Sequence, residues 1–251
     1  MALIDFQIVL GRMLREQNGD NHLRGVSLDE GESRYLQNLR DTAEFRFYAG
    51  IQRSWCIARA TKAAHLTLSL LPQAERERLL DDWIDAGAGA QSFYAVEGES
   101  FLDFIGKHLT DRPHELTVCQ FERATLRASN GADEFVAPDP SWLKRPECLV
   151  RRGSYAGLVR FEIDPIEQHR PLAELFRAGL MVMFSPGRPQ LWHEPTAAEA
   201  NLWDALESPT QVSTLLRHGY SFETLQTLLS TGAIEYSKPI EEHRTERGSA
   251  G

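Results

Sequence analysis

The amino-acid sequence predicts an α+β protein, in which an N-terminal helical bundle is followed by a winged-helix-like module. That module is expected to consist of a three-stranded antiparallel sheet and three helices. Two observations indicate this organisation. Apolar residues recur at helical spacing throughout residues 1–130. Later in the chain, three short strand patterns precede three short helices that begin at capping residues.

The N-terminal helices are predicted within residues 1–130, as one helical domain. The strongest pattern spans Arg40–Leu71, and Gly50 within it indicates a bend or a close helix contact. Further helices are predicted over 73–86, 100–109 and 114–128. Since no repeat of fixed period occurs, these helices are expected to pack as a bundle. Its strongest apolar series is Phe45, Tyr48, Ile51, Trp55 and Ala58.

Residues 131–150 are predicted to form a linker, because they are polar and contain Pro138, Pro140 and Pro146. The winged-helix-like module is predicted over 151–237. A polar tail, predicted to be disordered, follows over 238–251.

The three strands differ in their patterns. Leu158–Ile163 alternates apolar and polar residues, as a half-buried strand does. Leu180–Phe184 is continuously apolar, which is typical of a central strand. Ser185–Pro189 predicts a hairpin turn, after which Gln190–His193 returns as the third strand.

Each predicted C-terminal helix begins at a capping residue. Thr196–Glu207 opens with a capping box formed by Thr196 and Glu199. Ser208–His218 repeats the pattern, with proline at its first position. Ser221–Thr231 begins at Ser221, and Gly232 follows as a stop signal.

Composition limits the class of protein. The chain has 251 residues and a formal net charge of −9, which opposes general nucleic-acid binding. It contains neither a membrane-spanning apolar run nor a secretion signal, so we expect a cytoplasmic protein that does not bind membranes. Cys56, Cys119 and Cys148 form no metal or disulfide pattern, and the first two are expected to be buried small hydrophobes.

Catalytic motifs are absent from the sequence, so the chain is not expected to be an enzyme by itself. Glu122, beside Phe121, is expected to be buried and to pair with Arg46 or Arg53. The eight histidines show no metal-ligand spacing, and no metal site is predicted. A stand-alone enzyme that uses Glu122 with His108 or His114 is the least favoured hypothesis.

The predicted module could read either DNA or a peptide, and its charges favour the peptide. Between Gln190 and Glu235 there is one basic residue, Arg217, against six acidic ones. Such a surface repels phosphate. Pro189 starts the third strand and favours an edge position, where an extended peptide can add as a further strand. The predicted peptide-binding residues are Gln190, Leu191, Trp192, His193, Leu225, Leu228 and Leu229. A small core with a blunted edge and no guest peptide is the equally weighted alternative.

Several segments resemble those of a known family. Met181–Tyr236 resembles the leader-peptide recognition module of pathways for ribosomally made, modified peptides. The likeness lies in the hairpin, the Glu-Pro-Thr-Ala-Ala start of the first helix and the Leu-Leu-Ser-Thr-Gly-Ala-Ile-Glu end of the third. Phe45–Tyr48, His114–Ala124 and Leu149–Gly153 are similar to the partner subunits of iron-dependent TIM-barrel peptide oxidases, as in methanobactin and 3-thiaglutamate biosynthesis.

The resemblance implies a non-catalytic subunit of a heterodimer. The TIM-barrel partner would hold iron and activate oxygen, and this chain would bind no cofactor. It would present a precursor peptide whose cysteine is oxidised, with the leader added to strand 190–193. The resemblance also implies that the helical domain over 1–130 docks the partner. The main alternative is a winged-helix transcription regulator with a helical sensor domain.

Overall fold

The protein has a mixed α+β fold that divides into two units. A computed structural model describes residues 3–14, 26, 28–87, 94–145, 147–163 and 176–237. The first unit comprises residues 1–127 and 161–180, and the second comprises residues 128–160 and 181–251. The predicted tail over 238–251 lies outside the described residues.

Helices make up the regular structure described in the first unit. Two of them begin at side-chain caps, since Asp29 and Thr42 each accept a hydrogen bond from the backbone three residues on. The helices are α1 (Leu3–Met13), α2 (Glu30–Arg40), α3 (Ala43–Ala63), α4 (His65–Leu70), α5 (Gln73–Asp85), α6 (Tyr94–His108) and α7 (Pro113–Ala132).

The main core of this unit lies among α3, α5, α6 and α7. Trp83 and Phe101 meet there with ring centroids 5.0 Å apart. Gly98 permits the close approach of α3, because a Cβ at this position would lie 2.6 Å from the Cβ of Ala63. A smaller apolar cluster joins α1, α2 and the start of α3. The predicted helical packing is therefore confirmed for the described part of this unit.

Apart from Phe45, helix α3 buries a different face from the apolar series that predicts it. Its buried residues are Phe45, Arg53, Cys56, Ala60 and Ala63. By contrast, Tyr48, Ile51 and Trp55 are exposed. The helix continues through Gly50, and a Cβ there would meet nothing within 4 Å, so the predicted close contact at Gly50 is wrong.

The second unit contains six short strands and three helices among its described residues. A 3₁₀ helix, η1 (Pro140–Lys144), lies within the stretch predicted as a linker. The strands are β1 (Leu149–Arg152), β2 (Gly157–Arg160), β3 (Met181–Phe184), β4 (Trp192–His193), β5 (Thr210–Gln211) and β6 (Ile234–Ser237). The helices are α8 (Ala197–Ala205), α9 (Val212–Arg217) and α10 (Phe222–Ser230).

These strands form two antiparallel sheets of three strands each. One sheet has the order β2-β3-β4, with Gly157 opposite Phe184 and Met183 opposite His193. It corresponds to the predicted sheet, but β2 ends at Arg160 and β4 begins only at Trp192, so Gln190 and Leu191 belong to the turn and not to the predicted strand. The other sheet has the order β5-β1-β6 and pairs Leu149 with both Gln211 and Ser237. This second sheet is not predicted by the sequence, because its strands are only two to four residues long.

The helix caps of the second unit agree with the prediction at two of three positions. Thr196 and Glu199 form the predicted capping box of α8. Ser221 accepts a hydrogen bond from the Thr224 backbone and caps α10. The predicted cap at Ser208 is wrong, because Thr210–Gln211 pairs with β1 as β5 and the helix begins only at Val212.

The core of the second unit lies between α8, α9, α10 and strands of both sheets. Leu202, Leu225 and Leu228 have no exposed surface there, and neither have Met183 and Ile234. The two sheets and the three helices therefore share one apolar core.

Candidate functional site

Strand β4 forms one edge of the β2-β3-β4 sheet. The Ser185 backbone N–H donates to the Leu191 carbonyl at 2.8 Å, and Met183 lies opposite His193. Since hydrogen-bonded and non-bonded pairs alternate in an antiparallel ladder, the intervening pair of Phe184 and Trp192 is non-bonded. The N–H and C=O groups of Trp192 therefore point away from β3, towards the sheet edge.

The turn before β4 is tightly constrained. Leu191 has a φ of 63°, a left-handed conformation that a leucine adopts only with strain. Its N–H donates to the Arg188 carbonyl at 2.9 Å. The Gly187 N–H donates to the Thr231 carbonyl at 2.9 Å, which ties the turn to the end of α10. The turn thus holds the edge of β4 in one position.

His193 joins β4 to the start of α8. Its Nε2 lies 3.5 Å from Oε1 of Glu199, while Oε2 of Glu199 accepts hydrogen bonds from the backbone N–H and the hydroxyl of Thr196. Burial and the charge of Arg188 lower the pKa of His193. Burial raises the pKa of Glu199, but the hydrogen bonds from Thr196 and the charge of His193 outweigh it, so the pKa is lowered. A carboxylate beside a neutral imidazole is the favoured state near neutral pH.

The structure divides the predicted peptide-binding residues into two groups. Gln190 and Trp192 are exposed at the turn and edge, whereas Leu191 and His193 are half-buried. Leu225, Leu228 and Leu229 are at most 1% exposed and lie in the core, where α10 packs on η1, α8 and β6. These three leucines therefore position α10 and do not line the surface of β4.

Exposed acidic side chains surround the three C-terminal helices. Glu194, Asp204, Glu207 and Glu223 are all exposed. Asp204 pairs with Arg160 of β2 at 2.7 Å. Arg217 is the basic residue on α9, and its guanidinium bonds to Ser213 and Thr214 of the same helix. This distribution of charge opposes contact with a phosphate backbone.

An open cleft of about 580 Å³ lies in the second unit between α8 and the turn from α9 to α10. Its polar lining includes Asn201, Asp204, His218, Tyr220 and Thr224. The Tyr220 hydroxyl donates to the Asn201 carbonyl at 3.3 Å, which joins the two sides of the cleft. Sequence reasoning missed this cleft, because its walls come from segments that show only helix-capping signals.

Glu122 is buried, as predicted, but the predicted pairing with Arg46 or Arg53 is wrong. Its carboxylate accepts hydrogen bonds from the Leu66 and Thr67 backbone at 2.6 and 2.8 Å, and from the Thr67 hydroxyl at 2.6 Å. Burial raises its pKa, which these hydrogen bonds only partly offset. Glu122 thus holds the N-terminus of α4, whose first N–H groups lack intrahelical partners.

Arg53 binds two other carboxylates and joins α3 to α5. Its guanidinium lies 2.5 Å from Asp81 and 2.8 Å from Asp85. Arg46 instead donates to backbone carbonyls at the start of its own helix. The sequence could not distinguish these partners, because Asp81 and Asp85 are as plausible from helical spacing as Glu122.

The remaining candidates for chemistry are dispersed among the described residues. Cys56 and Cys119 are buried, as predicted, and burial raises the pKa of Cys119 to about 12. Nδ1 of His108 contacts the Phe104 carbonyl, whereas His114 is buried. Within the described ranges, no three His, Cys, Asp or Glu side chains are grouped as a metal site requires. The helices described there are all too short or too polar to cross a membrane.

No protein-family model and no curated protein sequence matches this chain.

Proposed function

We propose that this chain is a non-catalytic substrate-recognition and scaffold subunit of a heterodimeric, iron-dependent enzyme. That enzyme would oxidise a cysteine of a ribosomally made precursor peptide in the cytoplasm. The TIM-barrel partner would hold the iron, and this chain would bind the leader segment of the peptide. Its helical half would contribute to docking the partner.

The observation that carries the proposal is the outward-facing backbone of Trp192 on β4. A peptide strand beside β4 would bond to this N–H and C=O, as strand addition requires. The turn at Leu191 and the contact between His193 and Glu199 hold the strand in place, so binding would cost little ordering entropy. The exposed Trp192 ring, 43% accessible, supplies apolar contact area for a peptide side chain.

A winged-helix-like fold for the second unit forms part of the same proposal. It is supported by the order α8, β5, α9, α10 and β6, with β1 lying between β5 and β6 in the sheet. The transcription-regulator alternative would require phosphate contacts from α10. That helix carries Glu223 and no basic residue, which favours the peptide hypothesis.

A binding experiment with matched tryptophan variants tests the proposal. Synthetic precursor peptides encoded beside the gene would be titrated against the full-length chain by calorimetry. Trp192→Ala should weaken binding about tenfold or more, because it removes an aromatic contact at the edge. Trp142, 45% exposed in the same unit, provides the control, and Trp142→Ala should leave affinity unchanged. Equal affinities for the wild type and Trp192→Ala would contradict binding at β4.

Leu191→Pro would be a poor test of strand addition at β4. Leu191 has a positive φ and its N–H donates within the turn, so proline would disrupt the turn as well as the edge.

The assignment of iron is tested separately, by metal analysis of the two purified subunits. Stoichiometric iron on this chain alone would contradict the proposed division of roles.

A further inference from the structure

Helix α3 presents an apolar stripe to solvent, which we define as Phe47, Tyr48, Ile51 and Trp55. The side chains of Phe47, Tyr48 and Trp55 are 66%, 61% and 63% exposed, and that of Ile51 is 37% exposed. Phe47 and Tyr48 contact each other edge to face, with ring centroids 5.8 Å apart. Three large aromatic residues exposed together on one helix are typical of a protein interface and uncommon on a monomer surface.

Three of the four stripe residues, together with Ala58, follow the spacing of a helix-packing seam, and Phe47 flanks it. Tyr48, Ile51, Trp55 and Ala58 are three, four and three residues apart, so they share one face. The buried face of α3, defined by Arg53, Cys56 and Ala60, lies on the opposite side. Helix α3 therefore has one face for its own unit and a second face with the pattern of a helix–helix contact.

We propose that a second copy of this chain covers the stripe, with the two α3 helices antiparallel across a two-fold axis midway between Ile51 and Trp55. This register places Ile51 against Trp55 of the other copy and Tyr48 against the small Ala58. Large side chains thus face smaller ones, as close packing of two helices requires. An isologous contact of this kind closes as a dimer, so two of the proposed heterodimers would be joined through this chain.

Charge complementarity favours the same arrangement. Glu44 and Lys62 are both exposed and lie at opposite ends of the same helix face. In the antiparallel register, Glu44 of one copy faces Lys62 of the other. The helix dipoles of antiparallel neighbours also oppose each other, which is favourable. A parallel pair would instead bring like charges together at both ends.

The size of the stripe is compatible with a stable dimer. Aromatic side chains bury roughly 150–250 Å² each, so the exposed parts of the four stripe residues amount to about 400 Å² per copy. A specific interface buries at least about 1,000 Å² in total. The stripe would supply most of this minimum, and its exposed neighbours Glu44, Gln52, Ser54, Ala58 and Lys62 would supply the remainder.

The oligomeric state of the full-length chain tests the proposal. By light scattering after size exclusion at roughly 100 µM, the wild type should have twice the monomer mass of 28.4 kDa. Trp55→Ala and Phe47→Ser should each raise the dimer dissociation constant about tenfold or more. The control Trp142→Ala should remain dimeric. A monomeric wild type, or dimers insensitive to both stripe variants, would overturn the proposal.

A charge exchange tests the register and excludes a different protein as the occupant. Glu44→Lys and Lys62→Glu should each weaken the dimer, because each places like charges opposite each other. The double variant restores opposite charges in every antiparallel pair and should recover wild-type dimerisation. Additive weakening in the double variant would overturn the antiparallel self-contact. Circular dichroism should show unchanged helix content in all variants, because these side chains are exposed.

Discussion

The imidazole of His193 lies 3.5 Å from the carboxylate of Glu199, and this contact joins the edge strand β4 to the first turn of α8. The same carboxylate accepts two hydrogen bonds from Thr196 and completes the capping box. One acidic side chain therefore both starts a helix and positions the proposed peptide-binding strand.

Stability should decrease on acidification, because folding lowers the pKa of both His193 and Glu199; burial and the charge of Arg188 lower that of His193 although Glu199 opposes them. Folding lowers the pKa of His193 below its unfolded value of 6.5. The contribution of neutral His193 to the free energy of unfolding is therefore complete above pH 6.5 and is lost as the pH falls through the folded pKa. The pKa of Glu199 is also lowered by folding, so its protonation removes further stability as the pH falls below 4.5. Urea unfolding at about pH 7.5 and about pH 5.5 should show His193→Gln to be less pH-dependent than the wild type. The exposed His218 is the control, and an equal effect of His218→Gln would contradict this assignment.

Glu122→Ala should destabilise the first unit by about 3 kcal/mol. The substitution leaves the backbone N–H groups of Leu66 and Thr67 and the Thr67 hydroxyl without their acceptor. A buried group that loses its hydrogen bond costs about 1–3 kcal/mol, and local rearrangement of the structure should reduce the sum for the three groups towards the lower limit. Glu122→Gln keeps one acceptor oxygen and should cost less. Urea unfolding measures both, with the exposed Glu77→Ala expected within about 0.5 kcal/mol of the wild type. Equal costs for the Ala and Gln variants would contradict the hydrogen-bonding role.

Arg53→Lys should destabilise the contact between α3 and α5 by about 1–2 kcal/mol. A lysine is a single point charge and cannot bind Asp81 and Asp85 in the geometry of a guanidinium. The cost is moderated because Asp81 is half-exposed and remains hydrated. Thermal unfolding measures the change. When both aspartates are replaced by asparagine, Arg53→Lys should cost much less than in the wild type, and an unchanged cost would contradict the assigned pairing.

Two glycine-to-alanine substitutions should change stability in opposite directions. Gly98→Ala forces a Cβ to 2.6 Å from Ala63 and 2.8 Å from Leu126, so we expect a loss of about 1–3 kcal/mol. Gly50→Ala meets nothing within 4 Å and should stabilise helix α3 by about 0.5–1 kcal/mol. Chemical denaturation of both variants checks the pair. The same sign for both would contradict the packing described here.

Local features of the fold could be predicted from the sequence, whereas long-range pairings could not. The capping box at Thr196 and the cap at Ser221 depend on residues three apart and were correctly predicted. Strand β1 pairs with β6 across more than eighty residues, as in Arg151 with Glu235. Short strands of four residues carry too little pattern to reveal such a partner.

The face of a helix was equally hard to predict when two patterns competed. Helix α3 carries an apolar series at Tyr48, Ile51 and Trp55, yet it buries the face that contains Arg53. The burial of Arg53 depends on Asp81 and Asp85 of α5, which only the tertiary structure places nearby. At the candidate site, the sequence predicts a third strand that starts at Pro189, but only Trp192–His193 pairs with β3 at the sheet edge, and Gln190 and Leu191 lie in the turn. The positive φ of Leu191 could not be predicted, because leucine gives no signal for that conformation.

Amide hydrogen exchange at single-residue resolution tests whether a precursor peptide adds as a strand beside β4. It would be followed by NMR, with and without a precursor peptide. Strand addition should slow exchange of the outward-facing Trp192 amide about tenfold or more, because the new strand would accept its hydrogen bond. The His193 amide faces β3 and should change little. Peptide binding that leaves the Trp192 amide unchanged would contradict strand addition at β4.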